Sequence, residues 1–176
     1  TSATTYQTSP DAPLMVDLDY VDAAGLSVTK RFTINHDSYV INVEYIVQNN
    51  ASTPASVQMY AQLKQTTLIE SGSGLIPTYK GAAYSTTEDV YEKYSFDDIS
   101  ESNLNVSTQG GWVAMLQHYF VSSWVPEKTA NNQLYTSYSS NKDAVIGFKA
   151  PAITIEPNST ATTSATFYVG PKDQDV

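Results

Sequence analysis

The 176-residue sequence contains two histidines, which are far apart, and no cysteine. His36 lies in the polar segment 35–38, so we expect it at the surface. His118 lies in an apolar run, so we expect it in the core with a hydrogen-bond partner. The pair lacks the close spacing of zinc ligands, and thiolate ligands are absent. The sequence therefore predicts no metal site, no cofactor and no catalytic residue.

Six carboxylates cluster in the middle of the chain. They are Glu88, Asp89, Glu92, Asp97, Asp98 and Glu101. A pair of carboxylates at a fixed separation can hydrolyse glycosides, but nothing in the sequence sets that separation. The simpler interpretation is a solvated surface without a binding role. The more specific interpretation is an electrostatic docking strip for a basic partner. We call these six residues the acidic strip.

The second half of the chain is rich in tyrosine and tryptophan. Both residue types are frequent where an apolar surface meets a polar ligand or a peptide. The candidate partner-binding or peptide-binding residues are Tyr84, Tyr91, Tyr94, Trp112, Tyr119 and Trp124. Because aromatic residues at strand spacing also fill protein cores, core packing is the alternative interpretation of this set.

Alternation of apolar and polar residues with a period of two is the dominant pattern, and it predicts β-strands. Segments 14–20, 26–34, 39–47 and 57–63 follow it and are separated by turn-forming residues, which predicts a four-stranded antiparallel meander. Later expected elements are strands at 82–84, 90–96, 104–106, 134–138, 145–148, 153–155 and 161–169, a helical turn at 97–103 and a long connection at 66–81.

Segment 110–126 fits two kinds of structure. Its apolar residues Val113, Leu116 and Phe120 would align on one face of a helix. However, glycines precede the segment and a proline ends it, which is typical of strands, and a continuous apolar run suits a strand that is covered on both faces. We expect two buried strands with a kink near His118.

The composition indicates a folded, acidic chain with a net charge of −9 and 15% charged residues. Its nine cations are scattered and cannot neutralise a row of phosphates, so we expect no nucleic-acid partner. No apolar run approaches the length of about 18 residues that is typical of a membrane span. Without repeats, linkers or breaks in composition, residues 1–176 are expected to form a single all-β domain.

Several long and unusual segments follow one another along the chain. The longest is Gly-Gly-Trp-Val-Ala-Met-Leu-Gln-His-Tyr-Phe at 110–120, followed by Trp-Val-Pro at 124–126. Shorter segments of the same kind lie at 39–43, 63–65, 81–86, 91–94, 96–97 and 168–172. In this order they resemble the periplasmic domain of YidC, the membrane protein insertase of the bacterial inner membrane.

This resemblance implies a galactose-mutarotase-like β-super-sandwich of two stacked antiparallel sheets, with few short helical turns. It implies a place on the periplasmic side of the inner membrane, in an insertase that inserts and helps fold membrane proteins, alone or with the Sec translocon. The implied partners are Sec accessory subunits (SecDF) and nascent membrane proteins. Because every membrane helix of the family is missing here, we expect a fragment that is not itself membrane-embedded, and no insertion residue is assigned.

Three functions remain open for such a domain. The leading one is a non-enzymatic interaction domain that docks Sec accessory subunits or emerging substrate. The second is a carbohydrate-binding or epimerase-like domain retained from the fold, which would need an acid and a base that converge on a sugar ring. The third is a passive spacer that holds the first membrane helix apart from the others.

Overall fold

Antiparallel strands make up most of the computed structural model, which describes residues 5–67 and 79–172. The elements are β1 (Leu14–Val21), β2 (Leu26–Ile34), β3 (Val40–Asn49), β4 (Ala55–Val57), β5 (Tyr60–Thr66), β6 (Gly81–Ser85), β7 (Glu92–Tyr94), α1 (Phe96–Glu101), β8 (Asn105–Gln109), β9 (Trp112–Leu116), β10 (Phe120–Pro126), β11 (Asn131–Tyr138), β12 (Asp143–Lys149), β13 (Ile153–Ile155) and β14 (Ser159–Pro171). The all-β prediction is confirmed.

The described residues fall into two compact units. The first holds residues 5–59 and 151–167, and the second holds 60–67, 79–150 and 168–172. A single domain over residues 1–176 therefore stays a prediction. The long connection expected at 66–81 lies largely outside the described residues.

An antiparallel meander of β1, β2 and β3 organises the first unit, and β14 follows β3 in the strand order. Phe32 of β2 lies opposite Val16 on one side and Val43 on the other, so these three apolar side chains share a face. Arg31 points the other way and donates two hydrogen bonds of 2.8 Å to the Asp17 carboxylate. The alternation in these segments therefore predicts both the strands and their faces.

The segment expected to be the fourth strand of the meander does not join it. Residues 57–63 contribute to β4, which pairs with β13, and to β5, which pairs with β12. In the strand order, β14 takes the place beside β3. The four-strand meander is therefore wrong, because a period of two identifies a strand but does not determine its partner.

Asn49 joins the end of β3 to the loop that follows it and to the last residue of β13. Its side chain is fully buried. The Nδ2 group donates hydrogen bonds of 2.9 Å to the carbonyl oxygens of Thr53 and Ile155. Its Oδ1 atom accepts a 3.0 Å hydrogen bond from the Ala51 N–H. This one amide therefore satisfies three backbone groups that no strand ladder reaches.

Two stacked antiparallel sheets form the second unit. One has the order β5-β12-β11-β8, and the other contains β10-β9-β6-β7, with β14 beside β10. Contacts of β12 and β5 with β9 and β10 join the two layers. Leu134, Ile146 and Phe148 from one sheet, with Ala82 and Val113 from the other, have no exposed surface. The prediction of stacked sheets is confirmed.

Segment 110–126 forms two strands, β9 and β10, so the strand interpretation is confirmed and the helical one is wrong. Only β9 is buried as expected, because most of β10 is half-buried. The expected kink is a complete reversal of the chain, in which the Gln117 N–H donates a 2.9 Å hydrogen bond to the Phe120 carbonyl oxygen. His118 lies in this turn and is exposed. The expectation of a core histidine is therefore wrong, because the reversal removes residue 118 from the buried part of either strand.

Replacing Asn49 tests whether its amide stabilises the first unit. We expect Asn49→Ala to lower the free energy of unfolding by about 3 kcal/mol, because it leaves several buried backbone groups unpaired. Denaturant unfolding measures this loss. The neighbouring Asn50 is exposed and donates only to the Ser27 hydroxyl, so Asn50→Ala is the matched control with an expected loss of about 0.5 kcal/mol or less. Equal losses in the two variants would contradict the role given to Asn49.

Candidate functional site

Three of the predicted binding aromatics lie on one face of the sheet that contains β6, β9 and β10. Tyr84, Val113 and Trp124 are cross-strand partners on these three strands, and directly opposed side chains share a face. Tyr94 of β7 lies opposite Ala82, two residues from Tyr84, so it also faces this way. The rings of Tyr84 and Tyr94 meet edge to face, with centroids 6.3 Å apart. This is the face that carries the buried Val113 and stacks on the other sheet.

The opposite face carries Trp112, because side chains alternate along β9. The centroid of its ring lies 5.9 Å from that of Tyr91, which is 49% exposed. Tyr79 and Trp112 both pack against a small buried cluster that includes Ala83 and Ala114. We call Tyr79, Tyr91 and Trp112 the Tyr91 surface. The Tyr91 surface includes the exposed Tyr91, whereas Tyr84, Tyr94 and Trp124 on the other face are all partly buried.

Tyr79 is a residue of this surface that the sequence reasoning missed. Its hydroxyl donates a 2.7 Å hydrogen bond to the Ala82 carbonyl oxygen. Burial, then the nearby Tyr91 and Asp98, raise the pKa of Tyr79 to about 12. A Cβ atom on Gly81 would lie 2.6 Å from the Tyr79 hydroxyl oxygen, so only glycine leaves room for this ring. A tyrosine two residues before a strand that begins with glycine is the feature that could have indicated the contact.

Tyr119 lies apart from both groups in sequence and in the fold. It occupies the turn between β9 and β10, where 70% of its surface is exposed. Its ring stands perpendicular to that of His118, with centroids 4.0 Å apart. Its carbonyl oxygen accepts a 2.9 Å hydrogen bond from the Lys172 N–H. The six predicted aromatics thus lie at three places, and their role in binding stays a prediction.

All six carboxylates of the acidic strip are exposed. Glu88 and Asp89 lie in the loop after β6, where the Thr86 hydroxyl accepts hydrogen bonds from both of their N–H groups. Glu92 lies on β7, and the other three lie on α1. Among residues 5–67 and 79–172, none of the six forms an ion pair with a cation. The strip therefore presents negative charge to solvent.

One member of the strip also has a structural task. Ser95 and Asp98 form a capping box at the start of α1, in which each side chain accepts a hydrogen bond from the other residue's backbone N–H. The Ser95 hydroxyl donates a further bond of 2.6 Å to the Asp98 carboxylate. These hydrogen bonds, the hydroxyl first, lower the pKa of Asp98 below its ordinary value. Asp98 is thus tied to the helix start, and five carboxylates remain for a partner.

The two histidines have no catalytic surroundings in the part of the chain that the structure describes. His36 is exposed, as expected; its Nε2 atom lies 3.4 Å from the Asp37 carboxylate and its Nδ1 atom 3.2 Å from the Thr8 hydroxyl. No group of three His, Asp or Glu side chains among these residues could hold a metal ion. No described helix is both long enough and apolar enough to cross a membrane.

A small cavity lies between the two sheets of the second unit, beside the turn between β9 and β10. Its volume is about 110 Å³. The lining residues are Leu63, Lys64, Gln65, Met115, Gln117, Phe120 and Ser122. Gln65 is only 9% exposed, and neither its Nε2 nor its Oε1 atom has a hydrogen-bond partner among the described residues. We call this space the Gln65 cavity; the sequence reasoning missed it.

The model of the YidC periplasmic domain family matches residues 1–176 of the chain. The chain belongs to this family. It is 50% identical over 158 residues to the membrane protein insertase YidC of Psychromonas ingrahamii, covering 90% of this chain and 28% of that relative. It is 44% identical over 180 residues to the YidC insertase of Pseudoalteromonas atlantica, covering 99% of this chain and 33% of that relative. The chain thus spans 28% to 33% of the length of these curated relatives.

Solved structures confirm the fold of this YidC-family domain. A galactose mutarotase related enzyme from Lactobacillus acidophilus superposes with a TM-score of 0.58 at 7% identity, over 96% of this chain and 71% of that one. A GH36 alpha-galactosidase from Geobacillus stearothermophilus in complex with raffinose superposes with a TM-score of 0.67 at 11% identity, over 96% of this chain and 25% of that one. At these identities the likeness shows the galactose-mutarotase-like fold alone.

The capping box predicts a measurable pKa change. In Ser95→Ala, we expect the pKa of Asp98 to rise toward its ordinary value of 3.8, because the carboxylate loses the hydrogen bond from the hydroxyl and keeps only the one from the residue 95 N–H. A side-chain carboxyl NMR titration measures it. In the parent chain the folded-state pKa lies below the unfolded one, so this stabilisation is complete above the ordinary value and is lost as the pH falls through the folded-state pKa. Ser100→Ala on the same helix is the control and should leave the pKa of Asp98 unchanged.

The unpaired amide of Gln65 predicts a stabilising substitution. Methionine has a similar length and no amide, so we expect Gln65→Met to raise the free energy of unfolding by about 1 kcal/mol. Gln62→Met makes the same chemical change on the exposed face of β5, where it removes one solvent-exposed hydrogen bond of 3.1 Å from the Tyr135 hydroxyl, and should lower the stability by about 0.5 kcal/mol. Denaturant unfolding compares the two variants. A loss of stability in Gln65→Met would mean that its amide has partners in the folded chain.

Proposed function

We propose that this domain is a non-enzymatic docking domain of a membrane protein insertase, on the periplasmic side of the bacterial inner membrane. The observation that carries this proposal is the match to the YidC periplasmic family over residues 1–176. In this proposal the whole insertase inserts and helps fold inner-membrane proteins, alone or with the Sec translocon. The domain contributes a surface that docks Sec accessory subunits (SecDF) or emerging membrane proteins.

The Tyr91 surface supplies the apolar contact for such a partner. Tyr91 is half exposed and lies against Trp112, which in turn packs on a buried cluster. Tyrosine and tryptophan give large contact areas at low entropic cost, and residues of these types dominate the binding energy of many interfaces. Because Trp112 packs on this buried cluster, its ring would offer a rigid contact surface to a side chain of the partner.

The acidic strip supplies the electrostatic contribution. Two of its carboxylates lie near Tyr84 of the other aromatic group, because burial first, and then the charges of Glu92 and Asp89, raise the pKa of Tyr84. Asp98 of the strip is the carboxylate that lies near Tyr79 of the Tyr91 surface. Exposed charges of one sign speed the encounter with a partner of opposite sign, and salt screens this effect over about 8–10 Å. A basic partner surface is therefore the one that this region favours, and its binding should weaken with salt.

Carbohydrate chemistry has support from the fold alone. Epimerisation needs an acid and a base within hydrogen-bond reach of one sugar ring. His118 is exposed in a turn, where its ring stands against that of Tyr119. Calorimetric titration with galactose distinguishes the two functions, and heat of binding would favour the carbohydrate-binding alternative.

Site-specific crosslinking in the full-length insertase tests the docking surface. We expect a photoreactive residue at Tyr91 to crosslink to SecDF or to a nascent membrane protein during insertion. Tyr20 is 66% exposed and lies on β1 in the first unit, so it is the matched control and should not crosslink. Immunoblotting and mass spectrometry of the products identify the partner.

A charge-reversal variant of the acidic strip tests the electrostatic contribution separately. Lysine at Glu88, Asp89, Glu92, Asp97 and Glu101 should reduce the yield from Tyr91 about tenfold at low salt, with a smaller effect at high salt. Asp98 stays unchanged because it caps α1. Equal crosslinking at Tyr91 and Tyr20, together with normal insertion after deletion of the domain, would favour the passive spacer.

A further inference from the structure

The turn between β9 and β10 exposes three consecutive rings to solvent. The Gln117 N–H closes it onto the Phe120 carbonyl oxygen, so His118 and Tyr119 are its central residues. Tight hairpin turns usually carry Gly, Asn or Asp at these positions, because those residues tolerate turn geometry. Tyr119 is 70% exposed and Phe120 is 57% exposed. Neither turn chemistry nor core packing therefore accounts for the exposed rings of residues 117–120, which we call the hairpin tip.

Two lysines flank the hairpin tip on neighbouring strands. The N–H of Lys172, which directly follows β14, donates a 2.9 Å hydrogen bond to the Tyr119 carbonyl oxygen. On the other side, Lys80 precedes Gly81, which lies opposite Leu116 at the end of β9. The sheet order β14-β10-β9-β6 thus places both lysines beside the tip, at the same end of the sheet.

A third lysine, Lys93 on β7, lies near Lys172. Partial burial, and then the charge of Lys93, lower the pKa of Lys172. All three lysines are exposed, and none forms an ion pair with a carboxylate among residues 5–67 and 79–172. We call Lys80, Lys93 and Lys172 the tip lysines. Although the chain carries a net charge of −9 and its cations are scattered in the sequence, the fold gathers three of them around one aromatic turn.

A bilayer surface with anionic lipids matches both features of this end of the sheet. Tyrosine and other aromatic rings concentrate at the membrane–water interface, and each lysine close to an anionic membrane surface raises the affinity about fivefold. The acidic strip begins after β6 and continues through β7 and α1, away from β14 in the strand order. The tip and the β14 side are therefore the part of this sheet that can approach negative headgroups.

We propose that the hairpin tip contacts the bilayer surface, with Tyr119 and Phe120 at the level of the headgroups and the tip lysines against the phosphates of anionic lipids. Two rings and three charges give a weak, reversible contact rather than a stable anchor. In the full-length insertase, attachment to the membrane supplies the high effective concentration that makes such a contact frequent. The inference rests on the proposed function only in that it places the domain beside a membrane, and it uses no residue of the Tyr91 surface or the acidic strip.

Vesicle flotation with the 176-residue chain tests the charge contribution. The probes are vesicles of phosphatidylglycerol and phosphatidylcholine in equal parts, or of phosphatidylcholine alone. We expect a Kd of about 1 mM accessible lipid for the mixture and a value at least about tenfold higher for phosphatidylcholine alone. Replacing Lys80 and Lys172 together by glutamine should weaken binding to the mixture about tenfold or more. The matched control replaces the exposed Lys128 and Lys149, which follow β10 and end β12, and should leave the Kd within about twofold of the parent value.

A fluorescent label tests the hairpin tip itself. Because the chain has no cysteine, Tyr119→Cys accepts a single nitrobenzoxadiazole group, whose emission should shift to the blue when the mixed vesicles are added. Tyr60 is 59% exposed at the start of β5 in the same unit, so Tyr60→Cys is the matched control and should show no shift. Equal shifts at the two positions would contradict a contact through the tip.

The parent chain and the full-length insertase decide the outcome without any lysine variant. No flotation of the parent chain with the mixed vesicles at about 5 mM accessible lipid, or equal flotation with both kinds of vesicle, would overturn the proposal. So would a photoreactive residue at Tyr119 of the full-length insertase that crosslinks to protein and not to lipid. Crosslinking of SecDF at Tyr91 does not use the hairpin tip, so either proposal can fail alone.

Discussion

Burial of one side of each strand against the facing sheet is the interaction on which the second unit depends. Leu134, Ile146 and Phe148 are fully buried there. Because strand side chains alternate, a slip of one residue in β5 or β12 would bring Lys64 or Lys149 into the core, so the register is strongly specified. The same alternation decides which polar and aromatic groups face inward and which reach solvent. The positions available for binding are thus a consequence of the packing.

Buried asparagines complement this packing where the chain is irregular. Asn132 is 1% exposed, and its Nδ2 group lies 3.1–3.2 Å from the carbonyl oxygens of Gly110, Glu127 and Ala130. These contacts hold the turn that leads into β9 and therefore the start of the strand that carries Trp112. Asn49 has the same role in the first unit. In each unit, a buried asparagine amide therefore supplies hydrogen bonds to backbone groups at the ends of strands and in the neighbouring turns.

Local patterns in the sequence predicted the strands, because period-two alternation records which side of a strand is buried, and the resemblance to the YidC periplasmic domain implied the stacked sheets. They could not give the partners of β4 and β5, which lie about 80 to 100 positions away in the sequence. They also could not give the separation of Tyr84 and Trp112 onto opposite faces, which follows from strand pairing. His118 was misplaced because an apolar run does not show where a hairpin reverses. The burial of Gln65 could have been predicted, because the alternation that turns Ala61 and Leu63 inward also turns Gln65 inward.

β5 lies at the edge of its sheet in the described residues, and this position affects how copies of the chain could associate. Its outward side chains are Tyr60, Gln62, Lys64 and Thr66, and Lys64 pairs with Asp143 at 2.8 Å while 61% of its side chain remains exposed. A second copy docking edge to edge would bring two such lysines together and force them to lose water, which discourages fibril growth. Lys64 therefore disfavours edge-to-edge pairing of β5 with a second copy of the chain, and acetylation that removes its charge would weaken this protection.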